Sequence, residues 1–488
     1  MSAVPARLRR SVHHHSARQS SLRPRSGSNR RSHNLPPPPS LWRTIGPSFI
    51  LLGLALGSGE LILWPFLAAN YGLGLLWGAL LGISFQYFLN TETMRYSLAW
   101  GESVFVGFRR LSAFIPVWYV ISTFIPWSLP GFSSAASQIL TGFLPALSER
   151  LVAIGLLLLT GLLISAGRSL YRTMELFQRT IIFTGLPLIL VLTAWLTTKA
   201  DWIELGWGLI GRGDGYWFFP EGLALAAFLG AFAFAGAGGN LNLAQSYYIR
   251  EKGLGMGRYM DKITSIFRGG GQAAHLEGKT FAQTAHNRRR WRQWWRLVNL
   301  EHFLVFWLLG FITIVVLAIL AKVTVFGQGL EQGLSFLFVE GTVIGQRTTP
   351  FLGTLFLLVA ALMLFSTQVG VLESASRIIS ENVLLMFYRP GQRRQVNASL
   401  WFYAALWGQI SLGIVILLLG FQEPRFLLTL TAVLNAAAMM TAFPLLYWLN
   451  TRRLKPEYQP GTFRKLAMAT AFGFFVFFLV ITLRNFQV

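Results

Sequence analysis

Gly57-Ser58-Gly59-Glu60-Leu61-Ile62-Leu63 interrupts a run that is otherwise apolar from Pro47 onward, and Tyr71-Gly72-Leu73-Gly74 follows it. Far along the chain, Gly236-Ala237-Gly238-Gly239-Asn240-Leu241-Asn242-Leu243 is followed by Lys252-Gly253-Leu254-Gly255. Both stretches share Gly-(Glu or Asn)-Leu-x-Leu and then Gly-Leu-Gly at nearly equal spacing. Each clustered glycine weakens a helix by about 1 kcal/mol relative to Ala. The unwinding frees N–H and C=O groups, which survive at membrane depth only if buried in protein or lining a cavity. A single Gly-x-Gly is ordinary close packing of helices. Two such clusters, each with a polar residue at the matching place, point to a site built from two broken helices.

The solvent around these stretches is lipid. Hydrophobic residues make up 53% of the 488-residue chain, charged residues only 12%, and there are 17 Trp, a balance foreign to soluble domains. A spanning helix needs about 20 mostly apolar residues. Such runs fall near 47–70, 74–97, 114–141, 150–167, 174–198, 222–250, 298–322, 350–380, 400–420, 426–449 and 464–484. With eleven spans, five separate the two glycine clusters. An odd number of helices per unit inverts the second copy, so helices 1 and 6 enter the bilayer from opposite faces as equivalent elements. The predicted architecture is all-α and integral to the membrane: an inverted repeat of five plus five helices, an eleventh helix, and breaks in helices 1 and 6.

The formal charge of +23 sorts by loop. Arg95, Arg109 and Arg110, then Arg168, Arg172 and Arg179, then the basic segment 250–297, then Arg389, Arg393 and Arg394, then Arg452, Arg453, Lys455, Arg464 and Lys465 alternate with acid-bearing loops. The positive-inside rule then places the N-terminus in the cytoplasm and the C-terminus outside, in a plasma (inner) membrane. It also accounts for the charge without nucleic acid. Residues 1–40, rich in Arg and Ser, free of acid and ending in Pro36-Pro37-Pro38-Pro39, read as a disordered cytoplasmic tail or an organellar transit peptide. The His13-His14-His15 run on that tail reads as inert. The remainder, 41–488, is the transport domain. Arg-Arg-Arg-Trp-Arg-Gln-Trp-Trp-Arg at 288–296 is expected at the lipid headgroups, Trp at the interface and Arg on anionic lipid.

Glu60 needs a partner, because a carboxylate near mid-membrane costs roughly 2.5–3.5 kcal/mol even on insertion scales. A bound cation, a proton or a basic side chain would serve, as would protonation while capping the second half-helix. No Lys or Arg is expected deep in a span, and no His deep in the bundle. Asn242 and Gln245 either line the cavity or bond a neighbouring helix. In the eighth span Ser366, Thr367 and Gln368 precede Glu373 and Arg377, an i,i+4 pair expected as an interfacial salt bridge or as a gating or coupling site. The chain has no Cys, no phosphate-binding glycine loop and no hydrolytic motif. It is read as no enzyme, calls for no cofactor, and would draw energy from an ion gradient.

The Gly46-Pro47 opening, the broken segment of helix 1, the helix 6 run Asn240-Leu241-Asn242-Leu243 and the eleven spans resemble the Nramp family of proton-linked divalent metal transporters, members of the LeuT-fold class. The resemblance covers roughly 46–485. It departs from the family at the metal motifs. Where the family has Asp-Pro-Gly-Asn this chain has Gly57-Ser58-Gly59-Glu60, and where it has Met-Pro-His this chain has Ala237-Gly238-Gly239. The thioether and the imidazole are both absent from those places. A site made from Glu60, Asn240 and unwound carbonyls, with Gly57, Ser58, Gly59, Ala237, Gly239, Asn242 and Gln245 around it, is oxygen-only and suits a hard cation such as manganese or magnesium. The resemblance implies symport with a coupling proton or sodium. An amino-acid or small organic solute carrier on the same fold is the alternative, as is a receptor that binds without uptake.

Overall fold

The computed structural model describes residues 33–166, 170–260, 276–329, 334–387 and 398–484. The His13-His14-His15 run and most of the Arg-rich tail lie outside them. Among the described residues nine helices are long and apolar enough to cross a membrane. We label them with the interrupted ones in chain order: α1 Pro47–Tyr71, α2 Leu76–Trp100, α3 in two halves (Ile115–Trp127 and Gly131–Phe143), α4 Glu149–Ala166, α5 Leu170–Leu196, α6 in two halves (Leu225–Ala233 and Gln245–Lys252), α7 Ala285–Val325, α8 Pro350–Met386, α9 Ala398–Leu418, α10 Pro424–Arg453 and α11 Thr462–Arg484. Each half of α3 and α6 is 8 to 13 residues long, too short to span at 1.5 Å per residue. The break in α3 falls at Ser128-Leu129-Pro130, where proline cannot continue the hydrogen-bond ladder.

The core is α1. Its spanning window is wholly buried, as expected of a helix apolar all round. It packs on α5, α7 and α8 and on the first half of α6. The outer helices turn apolar side chains away from the protein: Leu158, Leu162 and Leu163 on α4, Leu400 and Leu418 on α9, Leu466 and Phe477 on α11. A belt of this kind is compatible with lipid and not with water.

Two expectations are corrected here. The predicted break in α1 is not an unwound segment: Leu56–Leu63 stays helical but widens to a π-helix. The cause is local. The Thr367 hydroxyl of α8 accepts from the Gly57 N–H and donates to the Gly53 carbonyl, both at 3.0 Å. It thereby occupies the place of the ordinary i→i−4 bond between those two residues, and a side chain inserted in the ladder deforms a helix in this way. The glycines of α1 admit that neighbour instead of unwinding.

Of the tryptophans of 288–296, Trp291 and Trp294 turn into the protein instead of toward lipid. The segment forms the start of α7, a 41-residue helix much longer than the predicted 298–322. Trp291 and Trp294 are buried against Leu35, Phe281 and Tyr458. The Trp294 indole donates to the Pro36 carbonyl at 2.7 Å, and Arg95 lies 3.7 Å above the Trp295 ring. Residues 33–40 therefore dock on α7 instead of extending the tail. Arg288, Arg289, Arg292 and Arg296 stay exposed. We call this end of the bundle, where α1 and α7 begin and α2, α6, α8 and α10 finish, the basic end.

Candidate functional site

The middle of α6 is where the sequence motif opens the backbone. Residues 234–238 are unwound, and Gly239–Ala244 is a 3₁₀ turn. Gly238 and Gly239 take φ of +75° and +51°, which L side chains resist. The groups released there are met by α2. The Gln86 amide donates to the Ala233 carbonyl at 3.0 Å and accepts from the Gly238 N–H at 3.2 Å, so one side chain replaces two backbone partners. Gln86→Leu would orphan both, at about 1–3 kcal/mol each. We expect it to lower the thermal midpoint of the purified protein by several degrees, while the same change at the exposed Gln293 leaves it unchanged.

The two glycine motifs touch. A Cβ at Gly59 would stand 1.8 Å from the Phe234 carbonyl oxygen, and one at Gly239 would stand 1.8 Å from Asn435 Oδ1 of α10. Glycine at Gly59 lets the backbones of α1 and the break meet, and glycine at Gly239 admits the Asn435 side chain of α10. Ala237 lies buried in the unwound stretch; the side chain of Ser58 lies outside the described residues.

The polar side chains of the break are half satisfied. Asn240 Nδ2 donates to Ser122 and Thr123 of α3, both at 2.9 Å, and Asn242 Nδ2 donates to the Gly239 carbonyl at 3.2 Å. Asn240 Oδ1, Asn242 Oδ1, Asn435 Oδ1 and both amide atoms of Gln245 are buried without a partner. Buried polar atoms of this kind are rare and ask for a ligand or water. They are hard, neutral oxygens together with one N–H₂ group.

Glu60 is 0% exposed, and neither of its oxygens has a partner. Its carboxylate points to α7, where a Cβ at Gly310 would lie 3.5 Å from Oε1. Asn240 is bonded instead to α3, so no bond joins Glu60 to Asn240, the two expected metal ligands. Among the described residues no group of three or more His, Asp or Glu side chains is placed to hold a metal.

Glu373 and Arg377 do pair, and both are buried in the protein. Arg377 is 1% exposed and binds Glu373 one turn earlier together with Glu251 of α6. Tyr248 donates to Glu373 at 3.2 Å. Beside them Arg250 meets Glu381 at 3.4 Å, and Ser103 also donates to Glu381. Arg377 is thus buried in protein toward the end of α8. The second half of α6 supplies Glu251 and α8 itself supplies Glu373, so the buried guanidinium is paired on two sides. The network ties that half of α6 to α8 at the basic end.

Three contributors escaped the sequence reading. Gln86 of α2, Gln178 of α5, whose amide exchanges two hydrogen bonds with Ser366, and Asn435 of α10 are buried amides within spanning helices. Their rarity there is the signal that marks them.

The sequence matches no protein-family profile and no curated protein. Solved structures do match. The Eremococcus coleocola manganese transporter, in complex with an aromatic bis-isothiourea compound, superposes at a TM-score of 0.67 with 13% identity over 92% of this chain and 88% of that one. MHP1, a nucleobase-cation-symport-1 family transporter with bromovinylhydantoin bound, superposes at 0.52 with 12% identity over 90% of each chain. At these identities the likeness concerns architecture, and the chain has the fold of LeuT-class transporters.

Proposed function

We propose that the protein is a secondary transporter that carries a small cation or solute by alternating access, with the break in α6 as its substrate site. The observation that carries this reading is the set of unpartnered amide oxygens on Asn240, Asn242, Gln245 and Asn435 in or beside unwound backbone. Such oxygens suit a hard divalent cation, manganese or magnesium, better than a soft one. Gly57, Gly59 and Gly239 let Thr367, Phe234 and Asn435 close in around the site. Glu60 is the charge that the cycle compensates, by a coupling proton or sodium or by the cargo itself. A carboxylate without a partner at that depth is costly, and a cation reaching it stabilises that state of the transporter. The network of Glu251, Glu373 and Arg377 acts as the gate at the basic end. We place that end in the cytoplasm of a plasma (inner) membrane, from the loop charges, with the C-terminus outside. The exposed Arg face at 288–296 rests on anionic lipid.

One observation favours a second reading. Gln245 offers an unpartnered donor beside an unpartnered acceptor, which fits an uncharged solute with an amide or imide edge, and MHP1 is described as a nucleobase transporter with a hydantoin bound. Uptake into proteoliposomes under an inside-negative potential separates the two. We expect manganese or magnesium uptake that falls at least about tenfold, or 1.4 kcal/mol, in Glu60→Gln. A well-folded protein that moves neither ion, with or without Glu60, would defeat the metal reading and leave the solute.

A further inference from the structure

Where the sequence predicts no deep histidine, α7 places Glu301 and His302 at the foot of α1, both buried. The Ser48 hydroxyl of α1 stands 2.6 Å from Glu301 Oε2 and 2.8 Å from His302 Nδ1. The first turn of α1 has no side-chain cap of its own. The Ser48 contact sets the Glu301 carboxylate beside that turn, where an anion is favoured by the exposed N–H groups. Two atoms of the cluster remain over: Glu301 Oε1 and His302 Nε2 are buried without a partner.

The surrounding charges do not balance it. From α6, Lys252 donates to the Ile45 carbonyl at 3.1 Å and pairs with Glu175 of α5 at 2.7 Å. That ammonium is thus already matched by one carboxylate, and Glu301 stands outside that pair. From α11, Arg464 is bonded to Glu92 at 3.2 Å and to Thr91 at 2.7 Å, both of α2, and to Asn299 of α7. Glu92 is shared with Arg95 at 2.7 Å. The imidazole is sandwiched between Tyr87 of α2 at 5.6 Å and Phe306 at 4.6 Å, rings that exclude water. The group of Glu175, Lys252, Glu301 and His302 becomes neutral on taking up one proton, and the Ser48 hydroxyl links the two places where that proton can sit.

We propose that Glu301, Ser48 and His302 form a one-proton binding site, separate from Glu60, that fastens the foot of α1 to α7. With the proton bound the buried group is neutral and the foot stays seated. With the proton lost it carries a net negative charge that only water can relieve, so the foot lifts. The seated state holds the proton more tightly, and rising pH at the basic end therefore favours opening.

The absence of cysteine from the chain makes the test direct. Leu51, one turn beyond Ser48, is buried in the seated state. The purified, membrane-reconstituted Leu51→Cys protein is treated with a maleimide from about pH 5.5 to about pH 8.5, the range in which such groups change charge, with rates normalised to a cysteine at exposed Phe463. We expect the normalised rate to rise at least about fivefold with pH. Adding Glu301→Gln, which keeps the shape without the charge, is expected to flatten the profile at the low rate. Ser48→Ala and His302→Gln are expected to move its midpoint by about one pH unit, a tenfold change in proton affinity. If Glu301→Gln does not fold, those two decide. A flat profile in the parent, or an unshifted one in the variants, overturns the proposal. No substrate is needed, so a failure of metal or solute uptake leaves this result standing.

Discussion

Gly59→Ala is expected to give a protein that survives extraction poorly and carries no substrate. The added methyl would stand 1.8 Å from the Phe234 carbonyl oxygen and 2.5 Å from its carbon. Overpacking a core costs typically about 1–3 kcal/mol when side chains can yield. Here the obstacle is backbone, held on its other side by Gln86 at Ala233 and Gly238, so we place the cost at about 3 kcal/mol or more. The check is the thermal midpoint of the detergent-solubilised protein followed by size exclusion. Gly155→Ala on α4, where a Cβ meets nothing within 4 Å, is the control and is expected to be neutral or to stabilise by up to about 1 kcal/mol. Equal behaviour of the two variants would mean that α1 and the break in α6 do not meet through Gly59.

Arg377→Ala is expected to be the most damaging change at the basic end. An interfacial ion pair, as the sequence spacing suggested, is worth about 1 kcal/mol or less. Removing one partner of a buried network costs about 3–5 kcal/mol, because the carboxylates left behind lose their counter-charge. Glu251 and Glu373 would both lose their guanidinium. Glu251→Gln and Glu373→Gln, added together to Arg377→Ala, should recover most of the lost thermal stability, and raising the salt concentration should recover little, since a buried pair is poorly screened. Strong rescue by salt in the single variant would return the pair to the surface.

Membrane character, the approximate helix places and the break in α6 were legible because they depend on local chain properties. Twenty apolar residues in lipid form a helix whatever their neighbours, and a run such as Gly236 to Gly239 unwinds one. The sites depend on which helix lies opposite, and a single sequence does not encode that in readable form. Glu60 and Asn240 occupy matching motif positions, yet one faces Gly310 of α7 and the other Ser122 and Thr123 of α3. Glu373 and Arg377 were read as a self-contained pair because only the i,i+4 spacing was visible; Glu251 is distant in sequence and adjacent in space.

The same division separates the two glycine motifs. By itself the sequence determined a polytopic helical chain with two weakened helices, because apolarity and glycine content act within a turn or two. Only the tertiary structure decided that one of them, α1, remains wound as a π-helix around the Thr367 hydroxyl while α6 opens onto Gln86. In lipid every backbone polar group must find a partner, and the nature of the partner packed opposite each weak helix sets whether it bends, widens or breaks.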